Sequence, residues 1–252
     1  MQNKILTISR EACTKILEVY NTDFSVESKD DNSPLTFADT ASNKIIVSEL
    51  NKNYPDIPIL SEESVDNVPQ EAEYCWIVDP LDGTKEFIKK NGEFTVNIAL
   101  VQNQRPILGV VAIPVTGTFF YASKGNGAFK QENNTTTAIH VSDKTTELVW
   151  VGSKSHSSEK EANLINQKSH LIREMKQAGS SLKGTMVAEG KADIYYRFGL
   201  TCEWDTCAMH CIIEEAGGIF RQMDGSEMLY NRKNHLNEKG FFVVNRKENI
   251  WV

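Results

Sequence analysis

The chain has 252 residues, of which 40% are apolar and 24% are charged, and these values are typical of globular proteins and not of disordered or fibrous ones. Its 34 acidic and 27 basic side chains give a net charge of -7. Without a long lysine or arginine run, such a chain lacks the electrostatic footprint for duplex nucleic acid or an anionic membrane.

The N-terminal twenty residues predict a helix of the mature protein, because Ser9, Arg10 and Glu11 interrupt the apolar run that a secretory signal needs. No stretch approaches the ~20 consecutive apolar residues of a membrane span. Five cysteines are an odd number in a chain large enough to build its own core, which argues against a disulfide framework. We therefore expect a cytoplasmic protein without a membrane span, while peripheral membrane association and the oligomeric state stay open.

Two helices are predicted before any strand, at about residues 1–20 and 36–54, because apolar residues recur there at steps of three and four. From about residue 74 the sequence changes to short runs typical of β-strands, namely CWIVD, FTVNIALV, PILGVVAIP and TGTFFYAS, separated by turn residues. These runs predict neighbouring antiparallel strands.

The second half of the chain alternates between helical and β patterns after a hydrophilic, threonine-rich stretch near 131–147 and the strand ELVWVG. Helical patterns lie at 157–167, 180–190 and 204–216, and short strands are predicted near 193–196 and 241–244. The predicted organisation is an α+β lobe over residues 1–145 with most of the metal ligands, followed by an α/β lobe over 146–252.

The segment DPLDGT combines two carboxylates at the end of a buried strand. Asp79 ends the run WIV, and Pro80 biases it toward extended geometry and turns the chain. Asp79, Asp82 and the Leu81 carbonyl oxygen can then converge, and hard cations such as Mg²⁺ take oxygen ligands of this kind. Asp-Gly alone is a common turn dipeptide, but the complete hexapeptide, with a threonine hydroxyl at its end, is far more specific.

Two further acidic residues are candidates for the same site. Glu62 follows a predicted short strand at Pro58–Leu60, and the adjacent Glu63 is interpreted as solvated charge. Asp205 precedes the helical pattern that ends in Gly217-Gly218. Its ordinary role at that place is helix capping, worth ~1 kcal/mol, although helix N-termini also attract phosphate.

The segment GSSLK offers two hydroxyls and an ammonium, from Ser180, Ser181 and Lys183, that suit a second phosphate group on the same substrate. The alternative is a serine N-cap on a helix, and the residues alone leave both interpretations open. His156 and Arg197 are weaker candidates for phosphate or base contacts, with an ordinary surface or structural role as their alternative.

A zinc site is the competing interpretation of one cysteine-rich segment. Its candidate ligands are Cys202, Cys207, His210 and Cys211. The segment lacks a C-x-x-C pair, however, and cysteines on a buried helix face are commoner than zinc ligands. We therefore expect these side chains to pack in the core.

The motifs DPLDGT and SEES, together with WDT followed by a helix ending in AGG, resemble the inositol monophosphatase superfamily of lithium-sensitive, magnesium-dependent phosphatases. The longer stretches NSPLTFAD, PILSEES, DPLDGTKEFIKKNGEFTVNIALV, PILGVVAIP and GSSLK are most similar to the bacterial 3′(2′),5′-bisphosphate nucleotidases of sulfur assimilation. The resemblance covers most of the chain. It implies a mixed α+β and α/β fold layered as an α/β/α/β/α sandwich.

The resemblance also implies two or three Mg²⁺ ions per active site. Glu62, Asp79 and the Leu81 carbonyl oxygen would hold one ion, and Asp79, Asp82 and Asp205 would hold a second. This agrees with electrostatics, because unit charges ~4 Å apart repel by on the order of 4 kcal/mol at an effective dielectric constant of 20. Clustered carboxylates therefore need a metal.

Catalysis would depend on Asp39 and Thr84, the pair that in this family orients and helps to deprotonate the attacking water. The backbone N–H groups of Gly83 and Thr84 would receive the phosphate. The full set of expected substrate-binding residues is Glu62, Leu81, Asp82, Gly83, Thr84, Ser180, Ser181, Lys183 and Asp205.

The implied reaction removes the 3′-phosphate of 3′-phosphoadenosine 5′-phosphate and yields AMP. The alternatives are an inositol or sugar phosphatase of the same superfamily, or a non-catalytic protein that binds metal or phosphate. One departure concerns the helix after Asp205, where many relatives carry Ala-Ala-Gly and this chain carries Cys207, Ala208 and Met209. Met209 is expected to crowd that helix turn and alter the nucleoside pocket.

Overall fold

A computed structural model describes residues 1–22, 34–65, 68–153 and 158–252, without the side chains of 34–36. His156 lies outside the described residues. Within the described part of the chain, no helix combines the length and apolar character needed to cross a membrane.

The helices are α1 (Gln2–Tyr20), α2 (Pro34–Asn53), α3 (Thr84–Ile88), α4 (Glu159–Lys168), α5 (Leu182–Ala188) and α6 (Glu203–Glu215). The strands are β1 (Ile59–Ser61), β2 (Tyr74–Asp82), β3 (Thr95–Gln102), β4 (Arg105–Ile113), β5 (Thr118–Ser123), β6 (Ala128–Glu132), β7 (Thr135–Ile139), β8 (Leu148–Ser153), β9 (Ile172–Ala178), β10 (Ile194–Arg197), β11 (Ile219–Gln222) and β12 (Phe241–Val244).

Two sheets organise the described residues. The first contains β1 to β7 in chain order, and every pair after the parallel β1–β2 pair is antiparallel. The second has the order β11-β12-β10-β8-β9, with parallel pairs at β10–β8 and β8–β9. The antiparallel run predicted from residue 74 is therefore confirmed.

The layering follows from the two-residue period of the buried strands. In β2, Trp76 and Val78 pack with α1 and α2, whereas Cys75 and Ile77 face the core that contains α5, α6 and the second sheet. The outer face of the second sheet packs against Leu164 of α4. The result is the α/β/α/β/α sandwich that the family resemblance implied.

The sequence analysis did not predict four of the strands, β6, β7, β9 and β11. Strand β6 runs into the threonine-rich stretch and β7 lies within it, whereas β9 forms one edge of the second sheet and β11 forms the other. The side chains of β7 and β9 are mostly exposed, so no apolar alternation marks them, and backbone pairing with one neighbour defines them. The division into lobes at residue 145 stays a prediction, since one core cluster contains residues from both sheets.

Helix α6 approaches the first sheet closely at Gly109 of β4. A Cβ atom at this position would lie 2.3 Å from the Ala208 carbonyl oxygen. We expect Gly109→Ala to lower the free energy of unfolding by about 3 kcal/mol, the upper range for overpacking. Urea denaturation measures the loss. Gly199→Ala is the control, since its backbone is not left-handed and an added Cβ would meet only the end of the Arg197 side chain, at 3.2 Å, and equal losses in the two variants would contradict the close-contact argument.

Candidate active site

The site begins where two parallel strands end. Ser61 of β1 pairs with Val78 of β2, so the following residues, Glu62 and Asp79, emerge side by side. The Glu62 N–H donates to the Val78 carbonyl oxygen at 3.1 Å, which extends this pairing by one residue. Adjacent strand ends therefore bring together two carboxylates that lie 17 residues apart in the sequence.

Helix α2 fixes both strand ends with polar side chains. The Ser42 hydroxyl donates to the Pro80 carbonyl oxygen at 2.8 Å, and the Ser61 hydroxyl donates to Asn43 Oδ1 at 2.8 Å. Ser42 and Ser61 are fully buried, where unpaired polar groups would be costly. These bonds explain why a helix without metal ligands belongs to the site.

The sequence prediction that the chain turns at Pro80 is wrong, because β2 continues through Asp82. In a regular strand, residues three positions apart lie on opposite faces. Here Asp79 pairs with Asn97 and Asp82 with Thr95, so β2 has one more residue than β3 between these pairs. This bulge changes the parity of the strand and lets both aspartates face one cavity.

Three aspartates converge at this bulge. One carboxylate oxygen from each of Asp79, Asp82 and Asp205 lies within 4.8 Å of the others. They line a cavity of about 340 Å³, within the size range of small-molecule sites. Its wall also includes Glu62, Leu81, Gly83, Thr84, Ser180, Lys183 and Arg197. The cavity thus contains all the predicted metal-ligand residues.

Asp79 is the most deeply buried of these carboxylates, at 1% exposure. Its Oδ1 accepts the Leu81 N–H at 3.1 Å, while its Oδ2 is buried without a hydrogen-bond partner. Burial, followed by the charges of Asp82 and Glu62, raises its pKa well above the ordinary value. An orphaned, buried carboxylate oxygen among other carboxylates fits a hard divalent cation such as Mg²⁺.

The pKa values of two neighbouring carboxyls are raised by the same causes. Restricted hydration at the cavity wall and the Asp82 charge raise the pKa of Glu62 to about 7. Burial and the Asp82 charge raise the pKa of Asp205 to about 7. The cation-free protein therefore holds protons here that its unfolded chain releases near pH 4.

These shifts predict an unusual dependence of stability on pH. Because the folded protein binds more protons than the unfolded chain, the free energy of unfolding of chelator-treated protein should fall as pH rises from about 4 to about 8. Buried His210 acts in the opposite sense, since burial lowers its pKa. The test therefore compares urea denaturation of the wild type with that of Asp82→Asn, which removes a charge acting on Glu62, Asp79 and Asp205. A wild-type curve no steeper than that of the variant would contradict the prediction.

Gly83 and Thr84 connect β2 to the short helix α3. Gly83 has φ = +95°, and an added Cβ would lie 3.2 Å from the Glu93 carbonyl oxygen. Glycine therefore suits both the left-handed backbone and the tight fit. Thr84 is the first residue of α3 and lines the cavity.

Asp39 of α2 is buried near the acidic cluster. Its Oδ1 has no hydrogen-bond partner, and no hydrogen bond among the described residues joins it to Thr84. Burial and the charges of Glu63 and Glu62 raise its pKa to about 8. Glu63, interpreted from the sequence as merely solvated, is thus an electrostatic neighbour of Asp39. The pairing of Asp39 with Thr84 stays a prediction.

Asp205 has a local structural role as well as a place in the cluster. It is the third residue of α6, and its Oδ2 accepts the N–H of the N-cap residue Cys202 at 2.6 Å. The capping role considered from the sequence is therefore present. Capping occupies one carboxylate oxygen, and a carboxylate has a second one to offer a cation.

The segment from Ser180 to Lys183 faces the protein more than the solvent. Ser181 is the N-cap of α5 without capping through its side chain. Its hydroxyl lies within reach of Asp82 and of the Asp205 carbonyl oxygen instead and donates its single hydrogen to one of them at a time. Lys183 is 7% exposed and donates to the carbonyl oxygens of Ser180 and Ala178 at 2.6 and 3.3 Å. These contacts support the acidic cluster, and a role in phosphate binding stays a prediction.

The residues considered as zinc ligands and rejected have other partners. Cys207 and Cys211 are buried in the core, and burial raises the pKa values of both thiols. His210 Nδ1 lies 2.9 Å from the Tyr230 hydroxyl, and its Nε2 lies 3.3 Å from Glu214. Cys207, His210 and Cys211 are therefore buried, as expected from the sequence, whereas Cys202 is the half-buried N-cap of α6.

Met209 lines the cavity and packs against Gly184 of α5. A Cβ at Gly184 would lie 2.5 Å from the Met209 sulfur. The crowding expected from the sequence at this helix turn is therefore accommodated by a glycine on the facing helix.

The sequence reasoning missed Thr95 and Asn97, which lie behind the cluster. Both are buried, and both bond the serines or aspartates of the site. Two polar side chains at alternate positions of an otherwise apolar strand, FTVNIALV, are the signal that could have identified them.

Comparison with known proteins identifies the family of this chain. The model of the inositol monophosphatase family matches residues 2–249. The 3′(2′),5′-bisphosphate nucleotidase CysQ of Salmonella typhimurium is 40% identical, over 97% of this chain and 99% of its own. The Escherichia coli K12 protein of the same name is also 40% identical, over 96% and 99% of the two chains.

The solved structures agree. CysQ from Bacteroides thetaiotaomicron, a bacterial member of that family, has a TM-score of 0.86 at 38% identity and covers 98% of this chain and 99% of its own. A Thermotoga maritima inositol monophosphatase has a TM-score of 0.77 at 26% identity, covering 95% and 90%. The chain belongs to the inositol monophosphatase family.

Proposed function

We propose that this protein is a Mg²⁺-dependent 3′(2′),5′-bisphosphate nucleotidase that hydrolyses the 3′-phosphate of 3′-phosphoadenosine 5′-phosphate to AMP and phosphate. The observation that carries the proposal is the group of three aspartate oxygens within 4.8 Å, lining a cavity of about 340 Å³. The substrate is inferred from relatives with this name that match nearly the whole chain at about 40% identity.

The proposed metal ligands are Glu62, Asp79, the Leu81 carbonyl oxygen, Asp82 and Asp205, with Asp79 shared between two ions and a third ion allowed for. When bound, divalent cations supply stabilisation of the charge on the attacking and leaving oxygens of an in-line displacement. Without cations, the carboxylates of the site would repel phosphate. Bound cations would make the local charge positive, although the net charge of the protein is -7.

The remaining roles belong to the chain itself. Asp39 and Thr84 would orient the attacking water and receive its proton, and the raised pKa of Asp39, about 8 in the absence of metal, will fall when cations neutralise its neighbours. The N–H groups of Gly83 and Thr84 would bind the phosphate. Ser180, Ser181 and Lys183 remain the proposed contacts of a second phosphate, and lithium is the expected inhibitor.

Phosphate release from three substrates tests this proposal: 3′-phosphoadenosine 5′-phosphate, inositol monophosphate and fructose bisphosphate, each with Mg²⁺. We expect the highest kcat/KM for the nucleotide. A preference for either of the others would establish the inositol or sugar phosphatase alternative, which the similarity to inositol monophosphatase structures keeps open. Mg²⁺ binding without turnover of any substrate would indicate a non-catalytic protein. A role in sulfur assimilation and a cytoplasmic location stay predictions.

A further inference from the structure

Asp82 is held by an unusually dense set of hydrogen-bond donors. Its Oδ2 lies 2.5 Å from the Ser180 hydroxyl, 2.9 Å from the Ser181 N–H, 3.3 Å from the Ser181 hydroxyl and 3.3 Å from Asn97 Nδ2. Within the described residues no hydrogen bond engages Asp82 Oδ1. One oxygen of this carboxylate is therefore saturated by the protein, and the other remains for a ligand in the cavity.

Two residues of β3 support these donors from behind. Asn97 Nδ2 also donates to the Ser181 hydroxyl at 3.0 Å, and its Oδ1 accepts the Thr95 hydroxyl at 3.0 Å. The Thr95 hydroxyl also lies 2.5 Å from the Ser180 hydroxyl, so its single hydrogen serves one of these two oxygens at a time. We call Thr95, Asn97, Ser180 and Ser181 the Asp82 clamp.

The clamp spans the gap between Asp82 and Asp205, which lie 123 residues apart in the sequence. The Ser181 hydroxyl contacts the carboxylate of Asp82 and the carbonyl oxygen of Asp205. Ser180 adopts φ = +50°, a left-handed conformation that costs a residue with a side chain of order 1 kcal/mol and needs support from its surroundings. Thr95, at 0% exposure, and Asn97, at 1%, provide that support from within the core.

We propose that Thr95 and Asn97 are positioning residues that fix the Asp82 carboxylate for cation binding. The inference rests on the metal site of the proposed function and extends it to residues that do not line the cavity. The donors offset the repulsion among the clustered carboxylates and restrict Asp82 to one rotamer, so that its free oxygen is directed before a cation arrives. Loss of hydrogen bonds to metal ligands typically weakens metal affinity 10–100-fold.

A purely structural role predicts something different. Buried polar networks also stabilise folds, so their loss lowers the melting temperature without changing affinity for a cation. The discriminating measurement is the Kd of Mg²⁺ alone, determined by calorimetry on the full chain, together with the melting temperature without metal.

Four variants are compared, two of which form a matched pair at Thr95. Thr95→Val removes the hydroxyl at constant shape, and Thr95→Ser keeps it. Asn97→Leu removes the amide donor at similar volume. Thr118→Val is the control, because Thr118 is also a buried strand threonine, and its hydroxyl bonds Thr116 and Glu132 instead of the site.

We expect Thr95→Val and Asn97→Leu to raise the Kd for Mg²⁺ by about 10-fold or more, and Thr95→Ser and Thr118→Val to leave it within about twofold. An unchanged Kd for Mg²⁺ in Thr95→Val overturns the proposal. If Asn97→Leu does not fold, the Kd of Thr95→Val is sufficient as the test. A wild type that binds no Mg²⁺ overturns the proposed metal site and the clamp together. If the wild type binds Mg²⁺ and the Kd of Thr95→Val and Asn97→Leu is unchanged, only the proposed role of the clamp is overturned.

Discussion

Asp82→Asn is expected to lower kcat for phosphate release by on the order of 10³-fold or more while the protein stays folded. An asparagine can turn its carbonyl oxygen toward the four donors that hold Asp82 Oδ2. Its NH₂ group then faces the cavity, where it cannot bind a cation. The exchange also removes one negative charge from the cluster, so the metal-free variant should be at least as stable as the metal-free wild type.

Two measurements separate this loss from a general defect. Thermal unfolding with and without Mg²⁺ should show a metal-induced rise in the wild type that is reduced in Asp82→Asn, because only a ligand that binds the folded state raises the melting temperature. Asp224→Asn is the matched control, since Asp224 lies on an exposed turn and bonds Ser226 and Lys239. Turnover of Asp82→Asn at the wild-type rate would refute its place in the metal site.

The sequence contains enough information to assemble most of the site. Short apolar runs bounded by turn residues predict β2 and its neighbours, and Asp79 and Asp82 at the end of such a strand indicate a cation. The convergence of Asp205 with them, across 123 residues of chain, does not follow from local pattern. It was implied by the resemblance to a family, and the packing of α6 between the sheets is its physical basis.

Other features could not be predicted because they depend on contacts between segments that are distant in sequence. The bulge between Asp79 and Asp82 is defined only by pairing with β3. The hydroxyls of Ser180 and Ser181 suggested phosphate, yet both contact Asp82. Likewise, nothing in the residues around Asp39 reveals that Glu63 is its neighbour.

Substitution of Asp205 is also expected to lower turnover strongly, and two variants distinguish its role as a helix cap from its proposed role as a metal ligand. Asp205→Asn keeps an oxygen that can accept the Cys202 N–H but loses the negative charge, whereas Asp205→Ala loses both. We expect both variants to lose turnover by on the order of 10²–10³-fold. Only Asp205→Ala should lose a further ~1 kcal/mol of metal-free stability, measured by urea denaturation.

A capping control exists in α4, where the Ser158 hydroxyl accepts the Glu161 N–H at 3.1 Å. Ser158→Ala should also lose ~1 kcal/mol, with turnover unchanged. If Asp205 served only as a cap, Asp205→Asn would hydrolyse substrate at the wild-type rate and Asp205→Ala would behave like Ser158→Ala. Loss of turnover in Asp205→Asn at unimpaired stability would instead assign the charge of Asp205 to catalysis, because the cap survives that exchange and the charge does not.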